Sequence, residues 1–296
     1  MKNEFFSQEV WEQAWKERGD AVLSKMKQAG ISPANAFDHK AKTFNEQSFS
    51  EEGRKRSRRI LNWIEDQGVR FHQASVLDIG AASGVFSVPF AEQGAHVTAV
   101  ESSLPLVKLL EENTKPFADN PVKIVPEPFE NIDVHDRGWN QAFDLVFASM
   151  CPVIYNWESV EKIIQCAKQY CYISMPAGAA ENSLANEIWP LISDKPHASK
   201  PAEVAYLMHL LFLKGYSYES LVTRELKTTE VSAEVAMQEM ISWFRGQGLA
   251  EDTRKMKVVA DYLEQAYPAG KVVIHQGGRF AKVLIRLQDE KMYSRN

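Results

Sequence analysis

The chain has 296 residues, 45% hydrophobic and 25% charged, with 34 Lys plus Arg against 39 Asp plus Glu and a formal charge of −5. This is the make-up of a globular protein able to bury a substantial core, and the acidic balance argues against a life on nucleic acid, which usually draws a basic excess. The three cysteines, Cys151, Cys166 and Cys171, are too few and too irregularly spaced for a disulfide framework and read as reduced thiols of a cytoplasmic protein.

The stretch after Met1-Lys2-Asn3-Glu4 is charged and Trp-containing, without the continuous apolar segment that a signal peptide needs. No run along the chain reaches the apolar length required to span a bilayer. Ser7 to Lys27 reads as an amphipathic helix, with Val10, Trp11, Ala14, Trp15, Val22 and Met26 at helical spacing and Gly30 as its stop. A turn-rich stretch leads to the segment Phe37 to Phe44. A second helix is expected from Ser50 to Gln67, with Ile60, Leu61, Trp63 and Ile64 facing inward. It carries the one dense basic run, Arg54-Lys55-Arg56-Ser57-Arg58-Arg59, which a helix spreads over several faces, so a solvated surface is expected there.

From Val76 onward strands and helices alternate. Val76 to Ile79 is followed by a helix from Gly84 to Gln93, His96 to Val100 by a helix from Leu104 to Asn113, and Val122 to Val125 by the apolar run Phe143 to Ser149. That run has the composition of a strand buried on both faces. A helix from Trp157 to Gln169 and a strand from Cys171 to Met175 complete the alternation. Beyond Gly178 the expected elements are helices at Asn182 to Ile192 and Pro201 to Leu213, a strand at Tyr218 to Leu226, and helices at Ser232 to Phe244 and Asp252 to Ala266. A hairpin of Lys271 to His275 and Arg279 to Leu287 is expected around Gly277-Gly278.

The fold class is therefore α/β: a doubly wound, Rossmann-like sheet, mostly parallel, with helical additions at both ends. Three regions are expected. Residues 1–67 form a helical cover, 68–180 the core, and 181–296 a helical substrate cover whose C-terminal strands complete the sheet as an antiparallel pair.

Open α/β sheets bind ligands beyond the carboxyl ends of their strands. Here those positions hold Gly80 to Gly84, then Glu101 and Ser102, then Phe129 and Glu130, and finally Ser149, Met150 and Cys151. The stretch Val76-Leu77-Asp78-Ile79-Gly80-Ala81-Ala82-Ser83-Gly84 is a strand running into a glycine-bearing turn, and the next strand ends in Glu101. A dinucleotide fingerprint needs Gly-x-Gly-x-x-Gly, whose second and third glycines fall on Ala82 and Val85. NAD and FAD fit poorly.

The pattern Asp78-x-Gly80-x-x-x-Gly84 resembles motif I of the class I S-adenosylmethionine-dependent methyltransferases, and the resemblance extends over about residues 37 to 180. It implies S-adenosylmethionine as cofactor and S-adenosylhomocysteine as product, held by Asp78, Gly80, Ala81, Ser83, Gly84, Glu101, Ser102, Phe129, Glu130, Ser149 and Met150. Glu101 matches the acid that these enzymes place on the ribose hydroxyls, so its removal should cost about 1.5–3 kcal/mol of binding and little stability. Pro128 stands where the family often has an Asp for the adenine amine, which leaves Phe129 as the expected ring contact. The Phe37 to Phe44 segment is similar to one that many small-molecule methyltransferases fold over the cofactor.

The Asn/Asp-Pro-Pro-Tyr/Phe motif of the nucleobase and glutamine enzymes is replaced by Ser149-Met150-Cys151-Pro152. The implied activity is methyl transfer to a small-molecule acceptor, with no nucleic acid, membrane or metal involved. An RNA or protein methyltransferase and a non-catalytic cofactor-binding regulator stand as alternatives. No catalytic residue is assigned. Cys151, Tyr155, His197 and His209 are the titratable groups within the expected reach, and a general base is optional for transfer from an activated donor. The acceptor and the oligomeric state have no signature in the sequence.

Overall fold

A computed structural model describes residues 4–28, 38–194, 203–246 and 253–288. The chain divides into two compact units, one formed by Met1–Met175, Glu203–Leu221 and Lys282–Asn296, the other by Pro176–Ala202 and Val222–Ala281.

The first unit is built on parallel strands. β1 (Ser75–Ile79) pairs with β2 (His96–Val100) on one side and β4 (Phe143–Ser149) on the other, β3 (Lys123–Val125) lies outside β2, and β5 (Ala167–Pro176) lies outside β4. The order β3-β2-β1-β4-β5 means that the chain winds outward from β1 and then returns past it, so the switch point falls between β1 and β4. Val76, Leu77, Leu145, Val146, Phe147 and Ala148 are fully buried, as strands covered on both faces must be. Phe147 stacks on Tyr172 of β5 with ring centroids 4.5 Å apart and meets Phe90 edge-on at 5.1 Å.

Helix α1 (Gln8–Gln28) buries Trp15, and α2 (Ala41–Ser48) is followed by α3 (Glu51–Asp66). The Ser50 side chain caps α3 by accepting from the Gly53 N–H at 3.2 Å. Ile60, Leu61 and Ile64 of α3 enter the same core as Phe90 and Phe147. The basic run is solvated around it: Lys55 pairs with Glu51 and Glu52, Arg54 lies over the Phe49 ring, and Ser57 points inward. Helices α4 (Ser87–Glu92), α5 (Leu104–Thr114) and α6 (Trp157–Cys166) follow β1, β2 and β4. Helix α8 (Val204–Leu213) also belongs to this unit and packs on α1, where Gln8 Nε2 donates to the Leu213 carbonyl at 3.0 Å.

The second unit has its own apolar core. Leu184 and Ile188 of α7 (Ser183–Ile192), Ala236 and Met240 of α9 (Ala233–Gly246), and Val259 and Leu263 of α10 (Thr253–Ala266) pack with Val272 and Ile274. The short β6 (Glu181–Asn182) pairs antiparallel with β8 (Lys271–Arg286), and β7 (Ser217–Ser232) also pairs with β8. No helix among the described residues is long and apolar enough to cross a membrane.

Of the differences from expectation, three have a plain physical cause. α4 starts at Ser87 rather than Gly84, because Ala82 and Gly84 sit at φ +51° and +92°, outside the helical region. α6 ends at Cys166, and residues 167–169, expected as its last turn, instead begin β5. A register shift between Phe143 and Leu145 admits them beside β4. The hairpin at Gly277-Gly278 does not form. β8 runs straight through both glycines, and a β-carbon at Gly277 would overlap the Glu225 carbonyl oxygen. The glycine marks a close approach of β7, which a single strand pattern cannot distinguish from a turn.

Candidate cofactor site

The turn after β1 is shaped by backbone bonds to β2. The N–H groups of Gly80 and Ala81 both donate to the Val100 carbonyl, at 2.9 and 3.0 Å, and bend the chain across the end of the sheet. Gly80 takes φ +71°, where glycine is the low-cost residue. Ala82 takes φ +51° without that freedom, a conformation costing about 1–2 kcal/mol for an L-residue.

What offsets that cost is Glu101. Its Oε2 accepts from the Ala82 N–H at 2.8 Å, and its Oε1 accepts from Ser102 N–H at 2.9 Å and Ser103 N–H at 2.8 Å. Glu101 is 8% exposed, and burial raises its pKa against the pull of these three donors. An ionised carboxylate accepts about four hydrogen bonds, so capacity remains for a ligand hydroxyl.

Asp78 lies beneath the turn, fully desolvated, with Ser87 Oγ donating to its Oδ2 at 2.6 Å. Burial pushes this carboxyl up to about 7, with the Ser87 hydrogen bond opposing the rise and the Glu101 charge adding to it. Ser83 is completely buried, and its hydroxyl has no hydrogen-bond partner among the described residues. An orphaned polar group in a turn of this kind is one that a ligand or ordered water would satisfy.

The end of β4 meets the same turn. Ser149 Oγ and Ser174 Oγ lie 2.9 Å apart, and Met150, at φ +54°, donates its N–H to the Ser174 carbonyl at 2.9 Å. Cys151 Sγ would stand 2.6 Å from a β-carbon at Gly80. Burial lifts the thiol to about 12, which makes it a poor base at neutral pH. Gly80→Ala should therefore destabilise the fold by about 2–3 kcal/mol through its positive φ and this overlap. Cys151→Ala in the same chain should recover the steric part, and equal melting temperatures for the single and double variants would refute this account.

Past β3, Phe129 is buried, with the Lys162 ammonium 4.9 Å from its ring centroid, and Lys162 also donates to the carbonyls of Phe129 and Glu130 at 2.8 and 2.9 Å. The Glu130 side chain is exposed. The structure thus brings Asp78, Gly80, Ala81, Ser83, Gly84, Glu101 and Ser102 into one constellation, with Ser149, Met150 and Cys151 along one side. His209 lies elsewhere, between Phe5 and Trp11 with its Nε2 2.8 Å from the Phe5 carbonyl. His197 and Phe37 fall outside the described residues.

Sequence reasoning did not assign Ser87, Ser103 or Asp38. Ser87 is a lone polar position between Phe86, Val88 and Phe90, a signal that was available. Ser103 caps α5 and donates its hydroxyl to Asp38 Oδ1 at 2.6 Å, across 65 residues of chain, and no local pattern carries that.

Residues 76–171, which span β1 to β5, match a family model described as a methyltransferase domain. That match identifies this part of the chain as similar to a methyltransferase domain. No curated protein matches the chain by sequence.

Among solved structures it is similar to magnesium protoporphyrin IX methyltransferase from Synechocystis PCC 6803 with bound S-adenosylmethionine, at 15% identity and TM-score 0.43, over 63% of this chain and 78% of that one. It is also similar to the YcgJ protein from Bacillus subtilis, at 12% identity and TM-score 0.47, over 78% of this chain and 98% of that one. A third is a phosphoethanolamine N-methyltransferase 2 from Haemonchus contortus, at 13% identity and TM-score 0.46, over 88% of this chain and 61% of that one.

Proposed function

We propose that this chain is a class I S-adenosylmethionine-dependent methyltransferase that methylates a small-molecule acceptor in the cytoplasm, and that S-adenosylmethionine is held by the turn Gly80 to Gly84 together with Asp78, Glu101, Ser102, Phe129, Glu130, Ser149 and Met150. The observation that carries the site is the buried Glu101 carboxylate, which braces the turn through Ala82 and keeps room for one more donor. S-adenosylmethionine, when bound, supplies a methyl group already activated on a sulfonium. The protein's part is then to orient the acceptor and exclude water. With Cys151 held neutral, nothing at the end of β4 acts as a strong base, which favours an acceptor that reacts without one or brings its own lone pair. The acidic charge of −5 and the solvated basic run on α3 support a small acceptor over RNA, and three free cysteines support a reducing compartment.

Calorimetry with S-adenosylhomocysteine and NAD tests the site. Binding of the first and no heat with the second is expected, since Ala82 and Val85 occupy positions where a pyrophosphate needs glycine. Heat from NAD alone would end this reading. An untargeted metabolite screen with labelled methyl donor then tests the acceptor class. Label appearing in RNA or protein and in no metabolite would replace the small-molecule reading.

A further inference from the structure

The turn that carries Ser83 is gripped from behind by one amide. Asn113, in the last turn of α5, donates through Nδ2 to the Ser83 carbonyl at 2.8 Å and to Asn45 Oδ1 of α2 at 2.9 Å. The Ser83 oxygen is a carbonyl and only accepts, so the nitrogen of Asn113 must face it, and Asn45 must present its oxygen to Asn113. Both amide hydrogens of Asn113 are thereby used in fixed directions. Gly84, next along the turn, is close to the same helix: a β-carbon there would lie 3.0 Å from Leu110 Cδ1. The segment leading into α2 makes a second tie, through Asp38 to the Ser103 hydroxyl, while the Ser103 N–H bonds Glu101.

We infer that Asn113 and Asn45 are positioning residues that join α2 to the cofactor turn, so that the placement of α2 and the occupancy of the turn are coupled. The inference rests on the cofactor site proposed above. Neither side chain is fully buried, and neither needs to touch the ligand. Asn113 sets where the Ser83 carbonyl points and so fixes the neighbouring peptide. Asn45 orients Asn113. If α2 lifts, the amide loses one of its two anchors, and the turn loses definition. Coupling of this kind is reciprocal, so a bound ligand that orders the turn also holds α2 down.

The pairing rules make the test chemical rather than steric. Asn113→Asp has the same shape but sets an oxygen against the Ser83 carbonyl, and affinity for S-adenosylhomocysteine should fall about tenfold, on the scale of a lost hydrogen bond. Asn45→Ala should fall about threefold for loss of the orienting acceptor. Asn45→Asp retains the acceptor and should restore affinity to within about twofold of wild type. Asn45→Ala combined with Asn113→Asp should be no weaker than Asn113→Asp alone, because both act through one amide.

Titration calorimetry reads these affinities, and thermal unfolding of each variant confirms that it is folded. Hydrogen exchange gives an independent readout: S-adenosylhomocysteine should slow exchange at 41–48 in wild type and leave it unchanged in Asn113→Asp. Equal weakening by Asn45→Asp and Asn45→Ala, additive losses in the double variant, or wild-type affinity in folded Asn113→Asp would each overturn the inference while leaving the site reading intact. A wild-type chain that binds no S-adenosylhomocysteine would instead overturn the site reading and this inference with it.

Discussion

Glu101→Ala is expected to weaken S-adenosylhomocysteine binding by at least tenfold and, in addition, to lower fold stability by about 2–4 kcal/mol. Sequence reasoning leads to the first half and expects little loss of stability, which the geometry of the turn argues against. The second follows from the three backbone N–H groups that converge on the carboxylate, from Ala82, Ser102 and Ser103. Removing it takes the acceptor from three donors, one of them buried and two part-buried, and releases Ala82 from a left-handed conformation. Glu101→Gln retains one acceptor oxygen and turns the other position into a donor facing donors, so it should fall between alanine and wild type in stability. Thermal unfolding beside calorimetry separates the two effects. A variant that binds weakly but melts with wild type would show the carboxylate to be a ligand only, and the hydrogen bonds to the turn to be incidental.

Asp78→Asn should raise stability at pH 8 by about 2–4 kcal/mol while weakening cofactor binding. The folded carboxyl titrates near 7 and an ordinary aspartate at 3.8, so between those values the folded chain holds a proton that the unfolded chain has released. Stability then falls as pH rises through this window and stays at its lower level above 7. Asparagine presents an oxygen to the Ser87 hydroxyl as aspartate does, carries no charge to bury, and should flatten this part of the profile. Denaturant unfolding of both proteins from pH 4 to pH 8 measures the difference. Parallel profiles would mean that Asp78 is not the group responsible. A carboxylate buried at such a cost fits the cofactor role proposed for it better than a role in the fold.

What could be read from the chain alone was whatever is encoded locally. β1, β2 and β4 announce themselves because strands covered on both faces must be apolar throughout, and α3 because a Ser50 cap precedes an amphipathic run. The turn after β1 was equally legible, since glycines are needed where backbone bends sharply beside an acid-ended strand. The α6 to β5 boundary was not, because Ala167 to Tyr170 suit either element until a register shift against β4 chooses the strand.

Nor was the straight run of β8 through two glycines, where a close approach by β7 and a turn look alike in sequence. The support of the site was likewise beyond local pattern. Gly80 meets Cys151 only because the sheet order sets β4 beside β1. Ser103 meets Asp38, and Asn113 joins Asn45 to Ser83, only once α2 and α5 are packed. The sequence by itself determined the central strands β1, β2 and β4, the turn after β1 and the acid that faces it, each a property of neighbouring residues. The tertiary structure alone decided which distant side chains hold that turn in shape, because hydrogen bonds across tens of residues depend on packing, and packing leaves no periodicity to read.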